Sequence, residues 1–138
     1  MSPRRPPRYA QSAALPYRVN GTGIEVLLVT SSRGRRWVIP KGLIEGDLSP
    51  AASAAKEALE EAGVEGRMRK RSLGSYTYEK WGGTCEVEVF PLAVKREHDA
   101  WDEDFRTREW VSLEEAVRRL VEDDLRCIVE ALPEVLNS

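Results

Sequence analysis

Glu57, Glu60 and Glu61 are the residues whose types and spacing most directly imply chemistry. At positions i, i+3 and i+4 of a helix, three carboxylates share one surface. Like charges that close resist ionisation unless a cation neutralises them. An all-oxygen donor set suits magnesium, with manganese as an alternative, and leaves positions for water and phosphate oxygens. Such a cation offsets phosphate charge and acidifies water, while a spare carboxylate accepts a proton from the attacking water. The chemistry implied is hydrolysis of a phosphate anhydride. Taken alone, Glu-x-x-Glu-Glu is common on solvated helix faces. What sets it apart is the span around it.

That span runs from Gly42 to Val64. Ser49-Pro50 supplies an N-cap and a proline at the first helical position, and Gly63 supplies the stop, which predicts a helix ending at Ala62. Stepping along it is read to place Ala51, Ala54, Ala55, Ala58, Leu59 and Ala62 on one face and the three glutamates opposite. The alanine face lets the helix sit close to a sheet. The loop before it could lend a backbone carbonyl to a cation.

Arg33, Arg35, Arg36 and Lys41 flank this acidic segment and could clamp phosphate oxygens. The chain is basic in its first part and acidic in the box, yet its formal net charge is only −2. No bulk electrostatic attraction to nucleic acid or membrane follows from that. With 138 residues, 41% hydrophobic and 32% charged, it fits one domain with its own core. Cys85 and Cys127 lack metal-ligand spacing and point to a reducing, cytoplasmic compartment; a single histidine, His98, argues against zinc or haem. No apolar run reaches the roughly 18 residues of a membrane span. The Pro- and Arg-rich residues 1–8 read as a flexible tail without an apolar signal region, leaving residues 9–138 as the domain.

Strands are expected over Gln11–Val19, Ile24–Thr30 and Trp37–Ile39, with a turn at Asn20–Gly23. Leu73–Tyr78 and Thr84–Val94 read as an antiparallel pair joined near Lys80-Trp81-Gly82-Gly83, and Arg108–Val111 as a last strand. Ser112-Leu-Glu-Glu115 is a capping box opening a helix to about Val121, and Asp124–Leu132 is another helix. The result is an α/β (α+β) fold, a mixed sheet between helices. Trp37 and Trp101 read as packing residues and Trp81 as a cap on the sheet's end.

The 23-residue span resembles the signature of the Nudix hydrolases, G-x5-E-x7-R-E-U-x-E-E-x-G-U with U aliphatic. Gly42, Glu57, Glu60, Glu61, Gly63 and Val64 match, whereas Leu48 replaces the pattern's Glu and Lys56 its Arg. Lys56 keeps the charge but loses the bidentate fork, and Glu45 or Asp47 could replace the missing partner. Beyond the box, residues 25–33, 36–40, Trp101 and Arg106-Thr-Arg-Glu-Trp110 are similar to the diphosphoinositol-polyphosphate and diadenosine-polyphosphate phosphohydrolase branch.

The resemblance implies a Nudix-type α/β/α sandwich and a magnesium-dependent hydrolase of polyphosphorylated small molecules. By it, Glu57 and Glu61 hold the metal with the Lys41 carbonyl, Glu60 serves as metal-site carboxylate and proton acceptor, and Ser31, Ser32, Arg33, Arg36, Arg106 and Arg108 contact substrate phosphates. A further ligand outside the box is open among Glu79, Glu86, Glu88, Glu97 and Asp102. Gln11, Ser12 and Trp81-Gly82-Gly83 stand where inositol-pyrophosphate enzymes carry basic residues, which brings dinucleoside polyphosphates level with diphosphoinositol polyphosphates as substrates. The competing readings are a nucleoside triphosphate or RNA-cap pyrophosphohydrolase, the one nucleic-acid partner retained, and a non-catalytic sensor of a phosphorylated ligand.

Overall fold

The run from Gln11 to Tyr17 contains no fully exposed position, and that dictates where its strand lies. In the computed structural model, which describes residues 5–21 and 23–137, this run is the middle of β1 (Arg8–Asn20), covered on both faces. Along its length β1 runs parallel to β7 (Gly83–Glu97), with Arg8 opposite Thr84 and Tyr17 opposite Ala93. Its C-terminal half pairs antiparallel with β2 (Gly23–Thr30), and its N-terminal half with β4 (Lys41–Leu43). β3 (Trp37–Val38) and β8 (Arg108–Ser112) add to β2, while β5 (Val64–Met68) and β6 (Gly74–Lys80) add to β7.

The mixed sheet is covered on both sides. α1 (Pro50–Ala62) lays Ala54, Ala58 and Ala62 against Leu27, Val29, Phe90 and Leu92. α2 (Leu113–Arg119), α3 (Asp123–Glu130) and α4 (Leu132–Leu136) cover the other face, where Leu125, Val129 and Leu132 meet Leu15, Leu28 and Val87. The expected α2 start holds, since Ser112 Oγ accepts from the Glu115 N–H at 3.1 Å. The helix expected over Asp124–Leu132 is instead two, α3 and α4, and Pro133 occupies the first turn of α4, where its missing N–H costs nothing.

Two strands were not foreseen. β4 has three residues, and β5 has the mostly exposed sequence Val-Glu-Gly-Arg-Met, so neither shows a hydrophobic alternation. The hairpin between β6 and β7 was foreseen, and its tip, Trp81 at φ 55° and Gly82 at φ 69°, has the two left-handed residues of a type I′ turn. At the other end of the sheet, Gly21 makes the β1–β2 turn at φ 62°; Thr22 lies outside the described residues. Of the expected tail, residues 1–4 lie outside the described residues, while Pro7 O accepts from the Thr84 N–H and Arg8 already pairs with Glu86.

α1 is held more by its ends than by its buried face. A buried methyl contributes about 0.8 kcal/mol, so three alanines supply only about 2–3 kcal/mol. At the N-terminus Ser49 Oγ accepts from the Ala52 N–H at 3.1 Å. At the C-terminus Gly63 adopts φ 66°, and its N–H donates to Ala58 and Leu59 carbonyls. Arg108 completes the clamp. Its Nη1 donates to Ala62 O at 2.8 Å and its Nη2 to His98 O at 2.6 Å, while the guanidinium lies 4.0 Å from the centroid of Trp101. Arg108→Met should leave two carbonyls without a donor and lower stability by about 1–3 kcal/mol in urea unfolding. Unchanged stability would refute the clamp.

Candidate functional site

Glu57 and Glu61 occupy one stripe of α1 and face β4. Gly42, in β4, has no Cβ, and a Cβ placed there would lie 2.4–2.7 Å from the three carboxylate atoms of Glu57. The carboxylate therefore sits in the space that any other residue at 42 would fill. Next to it, Glu61 Oε1 accepts from the Lys41 backbone N–H at 3.3 Å. Glu61 is 7% exposed, which corrects the placement of all three glutamates opposite the alanine face. The reason is helical geometry: seven residues make almost two whole turns, so Glu61 falls within about 20° of Ala54. By the same geometry Leu59 points outward, and it is 41% exposed.

Burial governs the electrostatics of this pair. It is the largest cause pushing the Glu61 carboxyl up to about 8, with Glu57 adding to the rise and Arg106 opposing it. Burial likewise raises Glu57, with the Glu60 and Glu103 charges adding to it. A buried and a half-buried carboxylate side by side favour holding a proton between them, and a divalent cation offers a stronger substitute. The donor set, all oxygen and seated over a glycine, fits such an ion.

Glu60 does not complete the triad in this structure. Among the described residues no three acidic, histidine or cysteine side chains converge on one point. Glu60 lies on the outer flank of α1 with an oxygen 3.6 Å from Lys56 Nζ. Lys56 in turn pairs with Glu45, in the loop before α1. Glu45 thereby takes up the charge left over by the two departures from the signature, while Leu48 stays half-buried and closes the loop's turn through its N–H to Glu45 O at 3.1 Å. Both partners of the ion pair are more than 40% exposed, so solvent screens it and its role is to orient the loop rather than to stabilise the fold.

A cleft of about 330 Å³ opens beside Glu61, and its wall carries Arg36, Lys41, Lys80 and Arg106. Ser31 and Ser32 line it from the β2–β3 loop, where Ser31 Oγ accepts from the N–H groups of Arg35 and Arg36. Arg106 is held rigidly, donating to Thr30 O at 2.9 Å and to Glu103 at 2.8–3.0 Å. Burial lowers the Lys41 ammonium from its ordinary value, and the nearby Glu61 opposes that shift. Burial raises the Tyr78 hydroxyl, which donates to Gln11 Oε1 at 2.7 Å in the same wall.

Of the expected phosphate contacts, then, Ser31, Ser32, Arg36 and Arg106 meet in the cleft. Arg33 faces a neighbouring depression with Arg35, and Arg108 is turned under α1 as its clamp. Lys80 was missed, because only the pairing of β6 with β7, of β7 with β1 and of β1 with β4 brings it to the cleft that Lys41 lines. Glu103 was also missed; its N–H donates to Glu60 O at 3.0 Å, which brings its charge against α1. Among the acidic residues considered outside the box, Glu79 reaches the cleft and accepts from Thr84 Oγ1, whereas Glu86 pairs with Arg8 and Glu97 with Arg108.

A mixed sheet between helices makes an α/β/α sandwich, with the buried Glu61 carboxylate beside a cleft walled by cations. The chain belongs to the Nudix family, and the NUDIX domain model matches residues 8–132. It is 38% identical over 120 residues to Nudix hydrolase 21, chloroplastic, of Arabidopsis thaliana, covering 83% of this chain and 60% of that protein. Over 100 residues it is 37% identical to diphosphoinositol polyphosphate phosphohydrolase 2 of Rattus norvegicus, covering 70% of this chain and 54% of that one. The chain thus spans little more than half the length of these curated relatives. The crystal structure of the C. elegans Ap4A hydrolase superposes with a TM-score of 0.70 at 19% identity, covering 93% of this chain and 98% of that chain, a likeness of fold. Among the described residues no helix is long and apolar enough to cross a membrane.

Gly42→Ala tests the seat of Glu57. Its methyl group meets a flexible side chain rather than backbone, so the protein should fold normally while Glu57 is displaced. Misplacement of about 1 Å can cost 10²-fold in rate. Divalent-cation affinity and hydrolytic turnover should fall, with the thermal midpoint kept within a few degrees.

Proposed function

We propose that this Nudix domain is a magnesium-dependent hydrolase that cleaves a phosphate anhydride in a dinucleoside polyphosphate or a related short polyphosphate. The observation that carries the reading is the Glu57–Glu61 pair seated over Gly42 at the edge of a four-cation cleft. Magnesium, held by Glu57 and Glu61 with the Lys41 carbonyl, supplies charge neutralisation and Lewis acidity toward phosphate oxygens and water. Arg36, Lys41, Lys80 and Arg106 bind and align the phosphate chain, the last held in place by Glu103 and Thr30. Ser31 and Ser32 offer hydroxyl contacts at the chain's other side. Glu60, on the solvent flank, accepts the proton of the attacking water once it turns from Lys56.

The charge count in the cleft favours the first of the two leading substrate classes. Gln11 occupies the cleft wall as a neutral residue tied to Tyr78, and Ser12 points to the opposite side of the sheet. Four cations match a short phosphate chain better than a ring bearing six or more phosphates. The diphosphoinositol polyphosphate class is therefore second. The outward turn of Glu60 also keeps a non-catalytic phosphate sensor as a distinct reading. Cys85 and Cys127 are both unpaired, in keeping with a reducing compartment such as the cytoplasm.

A panel of dinucleoside polyphosphates, inositol pyrophosphates, nucleoside triphosphates and capped RNA, assayed with magnesium and with EDTA, tests the reading directly. Turnover should be highest on a dinucleoside polyphosphate and vanish with EDTA. Glu60→Gln and Glu61→Gln should each lower it by about 10²–10⁴-fold while the fold is retained. Tight binding without product across divalent metals would establish the sensor instead, and wild-type turnover in both variants would overturn the site.

A further inference from the structure

Ser12 is fully buried, and its Oγ is the one buried side-chain polar atom without a hydrogen-bond partner among the described residues. Leaving such a group unsatisfied costs about 1–3 kcal/mol. Its neighbours Ala13 and Ala14 show that this strand accommodates alanine, which would carry no such cost. An orphan of this kind points to a second state of the site in which the hydroxyl is satisfied.

The register identifies its partner in that state. Ser12 stands directly opposite Gly42 in the antiparallel β1–β4 pair, so both residues project to the same face, toward α1. On Gly42 that face is filled by the Glu57 carboxylate. Other donors nearby are committed: the Lys41 N–H to Glu61, and the Ser53 hydroxyl to Leu43 O at 3.3 Å. Ser12 is thus a donor without an acceptor next to a carboxylate whose neighbouring backbone N–H goes elsewhere. On its other side, Ser12 pairs in register with Glu88 of β7, a second carboxylate on the same face.

We propose that the Ser12 hydroxyl is a positioning residue that donates to Glu57 when that carboxylate holds a divalent cation. A carboxylate ligating a metal through one oxygen presents the other to surrounding donors, and such outer partners fix its orientation. A small rotation of the Glu57 side chain over Gly42 brings the free oxygen toward β1. The proposal rests on the functional reading above.

Mn2+ titration, followed by electron paramagnetic resonance, with thermal unfolding of the cation-free protein, tests it. Ser12→Ala should weaken Mn2+ affinity about tenfold, at the low end of what outer-shell losses cost. The cation-free protein should melt at the same temperature or higher, because an orphaned hydroxyl has been removed. The affinity loss should persist in a Glu88→Gln background. Unchanged Mn2+ affinity would overturn the proposal. So would a loss of cation-free stability in parallel with affinity, which marks a packing role, or a loss that disappears with Glu88→Gln, which makes Glu88 the partner. No Mn2+ binding by the wild-type protein would overturn the functional reading itself, and this proposal with it.

Discussion

The carboxylate of Glu57 and the backbone of Gly42 share one small volume, and much of this structure follows from fitting both into it. The helix approaches the sheet closely, and the apolar residues buried on its inner face are the small ones, Ala54, Ala58 and Ala62. The close approach also draws Glu61 into the interior beside Glu57. Burial then makes the pair poor at carrying two negative charges, and that is the property a divalent cation reverses. Packing and electrostatics at the site are consequences of one steric constraint.

A helix seated on alanines needs anchoring elsewhere, and the chain anchors both ends. Ser49 and the Glu45–Lys56 pair secure the entry, while Gly63, Trp101 and Arg108 secure the exit. The indole N–H of Trp101 donates to Glu61 O at 3.0 Å, so the segment between β7 and β8 grips the turn that carries the buried carboxylate. The same segment supplies Arg106 to the cleft and Glu103 to hold it. Two arginines two positions apart thus serve different ends: one faces the cleft and the other closes the helix.

Much of the fold was legible because its signals are local. The capping residues bounded α1, the capping box opened α2, and glycine-rich turns joined β1 to β2 and β6 to β7. β4 and β5 were not legible, since three residues carry no periodicity and a charged, exposed edge strand resembles a loop. Within the site, the residue types and spacing of the three glutamates were readable, but their unequal burial was misjudged. Seven residues separate Glu61 from Ala54, almost two whole turns, and that spacing already places Glu61 inward.

By itself, then, the sequence determined the helix, its stops, the acidic spacing and the basic flank, all set by residues within a few turns of one another. Only the tertiary structure decided that Glu57 lies over Gly42, that Lys80 joins Lys41 across the two intervening strands β7 and β1, and that Arg106 enters the cleft while Arg108 leaves it. It also left Ser12 buried without a partner beside Glu57. Those outcomes depend on strand order and register, above all the parallel pairing of β1 with β7, which join residues more than seventy positions apart. Short-range periodicity records which way a side chain points along its own element, and not which element lies opposite.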